Sequence, residues 1–465
     1  MRTGRVVVSV LFVVAALVAG CSQSSDDAAA PTVYGSWHGD IEVPGQPIAI
    51  GVNFAEDGSA TLDIPIQGVR EAPLKDVRTE PDRVEFDLPD VPDVPDVPGE
   101  PGFRGKLDGD RLTGDWIQSG EKAPVTLQRG KIEGPARPQD PKPPYPYRSE
   151  DVTYRNGDIT IAGTLTEPEG TGPFPAMLLI TGSGPQDRNE ELMGHRPFQL
   201  LADTFTRAGY AVLRADDRGV GGTGGTLDDA TYPELAADAA AGVAFLRTRA
   251  EIDPARVGLF GHSEGGYLAP MVAALPGTDI AFAVLMAGPS VPGADVLIEQ
   301  NKVIMASSGA PQDQIDQQVA YVTTWSTLLR SGDIEGAKAF TQRHNDSLPE
   351  AERAPQQVVD GFNTAYMTSF ITHDPKPTLQ ALRVPVLAFF GDKDQQVLAT
   401  QNEGPMRENL AGAPDATVHT FPGLNHLMQP TATGKPSEYS TIETTIDPAV
   451  LTYVTGWLTQ RVPPR

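Results

Sequence analysis

The pentapeptide Gly261-His262-Ser263-Glu264-Gly265 constrains this chain more than any other stretch. It joins a short apolar run, residues 256–260, to a second, residues 266–275, that reads as a buried helix despite Pro270. A strand that feeds directly into a helix holds the residue at the turn in a strained backbone conformation, with its side chain projecting from the top of a sheet. Side chains two residues before and after that point would collide with the crossing strand and helix. Glycine at 261 and 265 removes both collisions, so the pattern predicts Ser263 as a nucleophile.

A serine hydroxyl is a poor nucleophile near neutrality unless a histidine takes its proton, and the histidine needs a carboxylate to hold its tautomer. Both partners are expected on loops at the carboxyl ends of strands, acid before base. The apolar run 386–390 ends in Gly391-Asp392-Lys393-Asp394, which offers two carboxylates. His426 follows the strand-like run 417–421 and is the expected base. His419 lies within that run, His262 adjoins the nucleophile, and His38 belongs to the N-terminal region. His195, His344 and His373 stand in less suitable contexts, although His373 could line a pocket. An oxyanion hole needs two backbone donors. The amide of Glu264 is one, and the loop Thr181-Gly182-Ser183-Gly184-Pro185 supplies the other, from Ser183 or alternatively Gly184.

From about residue 151 to the end, strands and helices alternate as in a doubly wound α/β sheet. An opening hairpin turns at Asn156-Gly157, and the apolar runs 176–180, 210–214 and 281–286 add core strands. Residues 291–383 break this rhythm with amphipathic helices, such as 316–329 and 334–343, and read as a helical lid. Residues 34–130 instead alternate with period two, as in Ile48, Ile50, Val52 and Phe54, and predict a small antiparallel barrel or sandwich of six or more strands. Trp37 and Trp116 are expected in its core. The proline-spaced repeat 91–98 suits an extended loop, and residues 131–150 a proline-rich linker.

The segments 180–188, Asp217-Arg218-Gly219-Val220-Gly221, the elbow with its following Gly266, and Asn425-His426 resemble bacterial α/β-hydrolase carboxylesterases. These carry a GHSEGG elbow and a helical lid between the sixth and seventh core strands. The resemblance covers roughly residues 151–463 and implies the α/β-hydrolase fold, a Ser263-His426-Asp394 triad and hydrolysis of short-chain acyl esters. It favours Asp394 as the acid because that residue commonly stands three before the small apolar residue re-entering the fold, here Val397, leaving Asp392 as a turn residue. An aminopeptidase or acyl-peptide hydrolase would use the same triad. A lipid-anchored binding protein with an inert hydrolase domain is the non-enzymatic alternative. Gly219 to Gly224 match G-x-G-x-x-G, but no helix opens on them, so dinucleotide binding is not expected. Neither a metal nor another cofactor is expected. The lid aromatics Trp325, Phe362, Tyr366 and Phe370 suit an acyl pocket and ordinary helix packing equally well.

Residues 1–20 combine a basic start with an apolar stretch too short to span a membrane, as in an export signal. They end in Val18-Ala19-Gly20-Cys21, which resembles the bacterial lipobox. Lipidation of Cys21 would tether the chain to the outer face of a bacterial membrane through the polar segment 21–33. Cys21 is also the single cysteine, so no intrachain disulfide can form. The formal net charge of −25 argues against nucleic acid as a partner.

Overall fold

A computed structural model describes residues 32–464 apart from 43–46, 66–68, 81–82, 89–100, 119–120, 133–135 and 351–352. The leader, Cys21, nearly all of the expected tether and the 91–98 repeat lie outside the described residues.

The period-two segment forms one antiparallel sheet. Its strands are β1 (Gly35–Ile41), β2 (Ile48–Phe54), β3 (Ala60–Ile64), β4 (Val69–Pro73), β5 (Lys75–Thr79), β6 (Arg83–Asp87), β7 (Gly102–Asp108), β8 (Arg111–Gln118) and β9 (Glu121–Arg129), in the order β4-β3-β2-β1-β9-β8-β7-β6-β5. The edge strands β4 and β5 are separated in sequence by Leu74 alone, so the sheet curls until its two ends meet. Alternate side chains fill the interior: Phe54 on β2 reaches Phe86 on β6 at 6.0 Å between ring centroids, and Phe86 stacks on Phe103 at 5.3 Å. Trp37 and Trp116 are both buried in this core, as expected. β4 and β5 were not evident from hydrophobic alternation, because β5 is mostly solvent-exposed and polar.

The second sheet comprises β10 (Tyr147–Asn156), β11 (Ile159–Pro168), β12 (Phe174–Ile180), β13 (Ala211–Ala215), β14 (Ile252–His262), β15 (Ala283–Met286), β16 (Val386–Gly391) and β17 (Ala416–Phe421). The order is β10-β11-β13-β12-β14-β15-β16-β17, parallel from β13 onward and antiparallel at the β10-β11 end. This is the α/β-hydrolase arrangement. β10 begins within the stretch expected as linker, its polar residues Arg148 to Glu150 pairing with β11 along the sheet edge. What remains of the linker is strapped down: Arg137 donates to the carbonyls of Met193, Ser440 and Ile442, and Gln139 exchanges hydrogen bonds with Thr445 and Ile446.

The helices are α1 (Pro197–Arg207), α2 (Tyr232–Thr248), α3 (Gly265–Ala274), α4 (Gly293–Ser307), α5 (Gln312–Arg330), α6 (Ile334–Ser347), α7 (Gln356–Gly361), α8 (Ala365–Thr372), α9 (Lys376–Ala381), α10 (Ala399–Asn409) and α11 (Pro448–Arg461). Because side chains alternate along a strand, β12 feeds two cores. Ala176, Leu178 and Ile180 pack toward α2 and α3, whereas Met177 and Leu179 pack toward α1 and α11. Burial on both faces is why this strand reads as an unbroken apolar run. Helices α4 to α9 stand between β15 and β16, the sixth and seventh strands of the sheet in chain order, where the lid was expected.

Candidate active site

The elbow is built by backbone contacts too close for side chains. Ser263 has φ +51°, a left-handed conformation that costs a non-glycine residue on the order of 1–3 kcal/mol. Its amide donates to the Met286 carbonyl at 2.9 Å and its carbonyl accepts from Gly266 at 2.8 Å, which fixes the turn against β15 and α3. A Cβ on Gly261 would stand 2.1 Å from the Gly265 carbonyl oxygen, and one on Gly265 would stand 2.2 Å from that of Ile180. The two glycines therefore relieve the collisions that the sequence pattern implied.

Asp394 and His426 meet. Asp394 Oδ2 lies 2.8 Å from His426 Nδ1, and both side chains are almost wholly buried. An ionised carboxylate only accepts, so Nδ1 carries the proton and Nε2 is left as the basic nitrogen. Asp394 Oδ1 accepts from the amides of Gln396 and Val397 at 2.7 and 2.9 Å, which orients the carboxylate. Asp392 serves the backbone instead, since its Oδ1 accepts from the Gly423 amide and pins the turn ahead of the histidine loop. That loop is closed by Asn425, fully buried, whose Oδ1 accepts from the amides of Leu427 and Gln429.

The loop after β12 passes directly beside Ser263, since a Cβ on Gly182 would come within 3.4 Å of Ser263 Cβ. The Gly182 amide donates to Glu190 Oε1 at 2.6 Å, and the Gly184 amide to the Tyr366 hydroxyl at 2.9 Å. Ser183 thus stands between two amides that already have acceptors, and its own amide is the candidate second donor. Asp217 braces the loop from beneath, accepting from Thr181 Oγ1 and the Gln186 amide, each at 2.9 Å. The other oxyanion candidate, the Glu264 amide, stands at the N-terminus of α3, where the helix dipole favours developing negative charge.

Sequence reasoning assigned the Glu264 backbone a role but not its side chain. The carboxylate is buried; Oε2 accepts from the Tyr366 hydroxyl at 2.5 Å, and Oε1 makes no hydrogen bond among the described residues. Burial pushes its pKa up to about 7, partly offset by the Tyr366 hydrogen bond. Tyr366 belongs to lid helix α8, so a single hydroxyl joins lid, elbow and oxyanion loop. Trp325 and Phe362 instead pack on each other, centroids 5.6 Å apart. His373 is half-buried and packs against the rings of Tyr232 and Tyr267, centroids 5.2 and 4.8 Å away. His262 and Glu190 form a buried pair beside His426. The sequence carries no sign of this pair, because the two residues stand 72 apart and no local pattern links them.

A family model described as X-Pro dipeptidyl-peptidase (S15 family) matches residues 156–409, more than half of the chain. The chain belongs to the S15 family. Esterase EstD of Thermotoga maritima is 28% identical over 310 residues, covering 65% of this chain and 68% of its own length. Among solved structures, an esterase of Pyrococcus furiosus aligns with TM-score 0.44 and 15% identity over 71% of this chain and 98% of its own. Est1E of Butyrivibrio proteoclasticus, solved with ferulic acid bound, aligns with TM-score 0.42 and 15% identity over 67% and 99%. This S15-family chain is a serine hydrolase of the α/β-hydrolase superfamily.

Glu264 gives this S15-family protein a pH signature. Between about pH 4.5 and 7 the folded chain keeps a proton that the unfolded chain has released. Its contribution is therefore fully present below 4.5 and lost as the pH rises through 7, up to about 3 kcal/mol in all. Glu264→Gln keeps an acceptor for Tyr366 without the charge. Thermal melts should show equal Tm for variant and wild type near pH 4.5 and a more stable variant at pH 8.

Proposed function

We propose that this protein is a carboxylesterase that cleaves short-chain acyl esters through an acyl-enzyme on Ser263. The reading rests on one observation above all, the Asp394–His426 contact of 2.8 Å between the loops that follow β16 and β17, in a fold whose β14 ends in the strained elbow serine. In this reading His426 Nε2 takes the proton from Ser263 Oγ as oxygen bonds to the ester carbonyl carbon. Negative charge gathers on the carbonyl oxygen, facing the amides of Glu264 and Ser183. The carbon–oxygen bond to the alcohol then breaks, and His426 returns its proton to the leaving oxygen. Water, deprotonated by the same nitrogen, attacks the acyl carbon; the bond from that carbon to Ser263 Oγ breaks, His426 returns the proton to Oγ, and the acid leaves.

The family name points to peptide bonds, while EstD, 28% identical to this chain, supports esters. Turnover of p-nitrophenyl acetate and butyrate, set against a dipeptidyl p-nitroanilide, decides between them. The esters should be cleaved and the anilide left intact. Ser263→Ala should abolish ester turnover, and Asp394→Asn should lower kcat roughly 10⁴-fold by favouring the wrong histidine tautomer. Full ester turnover by Ser263→Ala contradicts the proposal.

The sequence Val18-Ala19-Gly20-Cys21 supports a second part of this reading, a diacylglyceryl anchor on Cys21 that holds the enzyme at the outer face of a bacterial membrane. Expressed in a bacterium fed radiolabelled palmitate, the protein should take up label and partition into detergent, and Cys21→Ala should do neither.

A further inference from the structure

Glu190 carries several energetic costs at once. It has φ +52°, its side chain is buried, and Oε2 makes no hydrogen bond among the described residues. Burying a carboxylate costs several kcal/mol unless it is well paired, and left-handed backbone adds on the order of 1–3 kcal/mol. Neither the expected triad nor the oxyanion hole includes this residue, yet it lies at the centre of their backbone supports.

Its Oε1 accepts from the Gly182 amide at 2.6 Å and lies 2.9 Å from His262 Nδ1. On the far side of the imidazole, Nε2 lies 3.3 Å from the carbonyl oxygen of His426, and the two histidine rings are 4.9 Å apart. The chain of contacts therefore runs from the amide next to Ser183, through Glu190 and His262, to the backbone of the expected base. It passes through His262, the residue that immediately precedes Ser263.

Both ring nitrogens of His262 face acceptors, a carboxylate oxygen and a carbonyl oxygen. A neutral imidazole has one N–H and leaves one of these unmet; the imidazolium serves both. Burial acts to lower the His262 pKa, but the charge and hydrogen bond of Glu190 outweigh it and hold the pKa above the ordinary histidine value, with Asp394 adding in the same direction. The electrostatics thus agree with the geometry.

We propose that Glu190 and His262 are positioning residues, a buried carboxylate–imidazolium pair that ties the oxyanion loop to the loop carrying His426 and so sets the distance between them across Ser263. This rests on the reading of Ser263, His426 and Asp394 as the reacting groups. The pair touches no reacting atom, so it should act on transition-state geometry rather than on substrate affinity.

Two substitutions cut the chain at different links. His262→Asn keeps a donor in the place of Nδ1, for Glu190, and releases the His426 carbonyl; His262→Gln keeps a donor in the place of Nε2. With p-nitrophenyl butyrate, His262→Asn and Glu190→Gln should lower kcat roughly 10–100-fold with KM within about threefold of wild type. His262→Gln should recover part of the loss at equal Tm. Wild-type kcat in the folded variants, or losses that follow Tm with no advantage for glutamine over asparagine, overturn the proposal.

NMR of the wild type labelled with ¹⁵N-histidine supplies a test that needs neither turnover nor a folded variant. One imidazole should carry protons on both nitrogens at pH 7 and bond to a carboxylate and a carbonyl; a single-proton tautomer at His262 also overturns the proposal. Ser263→Ala measured alongside keeps the two readings apart: full activity there removes the triad, whereas an inactive Ser263→Ala beside fully active pair variants removes the pair alone.

Discussion

The architecture depends on how closely β14 and α3 approach the neighbouring backbone at the elbow. A Cβ on Gly265 would come within 2.2 Å of the Ile180 carbonyl oxygen, and one on Gly266 within 2.4 Å of Gly288 Cα. These contacts place the start of α3 against the ends of β12 and β15. They also fix where the oxyanion loop leaves β12, and hence how near it runs to Ser263. Ser263, the helix N-terminus and the loop amides are thereby located by one packing constraint, which any side chain at 261, 265 or 266 would violate.

Beneath that junction the chain buries an unusual density of acid. Glu190, Asp217 and Glu264 are each buried or nearly so, and each accepts from a group that shapes the oxyanion loop or reaches it through Tyr366. Burial drives the Asp217 pKa well up, against the hydrogen bonds from Gln186 and Thr181, and raises that of Glu264. Groups held so far from their preferred state destabilise the fold. Their common effect is to fix the backbone of that loop in place, the preorganisation that the proposed oxyanion hole requires. Tyr366 extends the arrangement into the lid.

Much of this was legible in the sequence because it depends on local pattern. The elbow glycines, the unbroken apolar run of β12 and the helical interruption before β16 each leave a signature within a short window. Asp394 and His426 were legible by their place after strands, and Asp394 also by its distance from Val397. What was not legible depends on long-range contact. Glu190 and His262 meet only after the fold forms, Tyr366 was indistinguishable from the other lid aromatics, and β4 and β5 lack alternation because they border the small sheet. That Tyr366 holds the Gly184 amide could likewise not be read from the sequence.

The central claim is that Ser263 is an activated nucleophile served by His426. Reaction with a fluorophosphonate followed by peptide mass spectrometry tests it most directly, because the reagent needs an activated hydroxyl but no particular ester. A single adduct is expected on the peptide that contains Ser263, formed far more slowly in His426→Ala. An unmodified Ser263, or equally fast labelling in that variant, would contradict it.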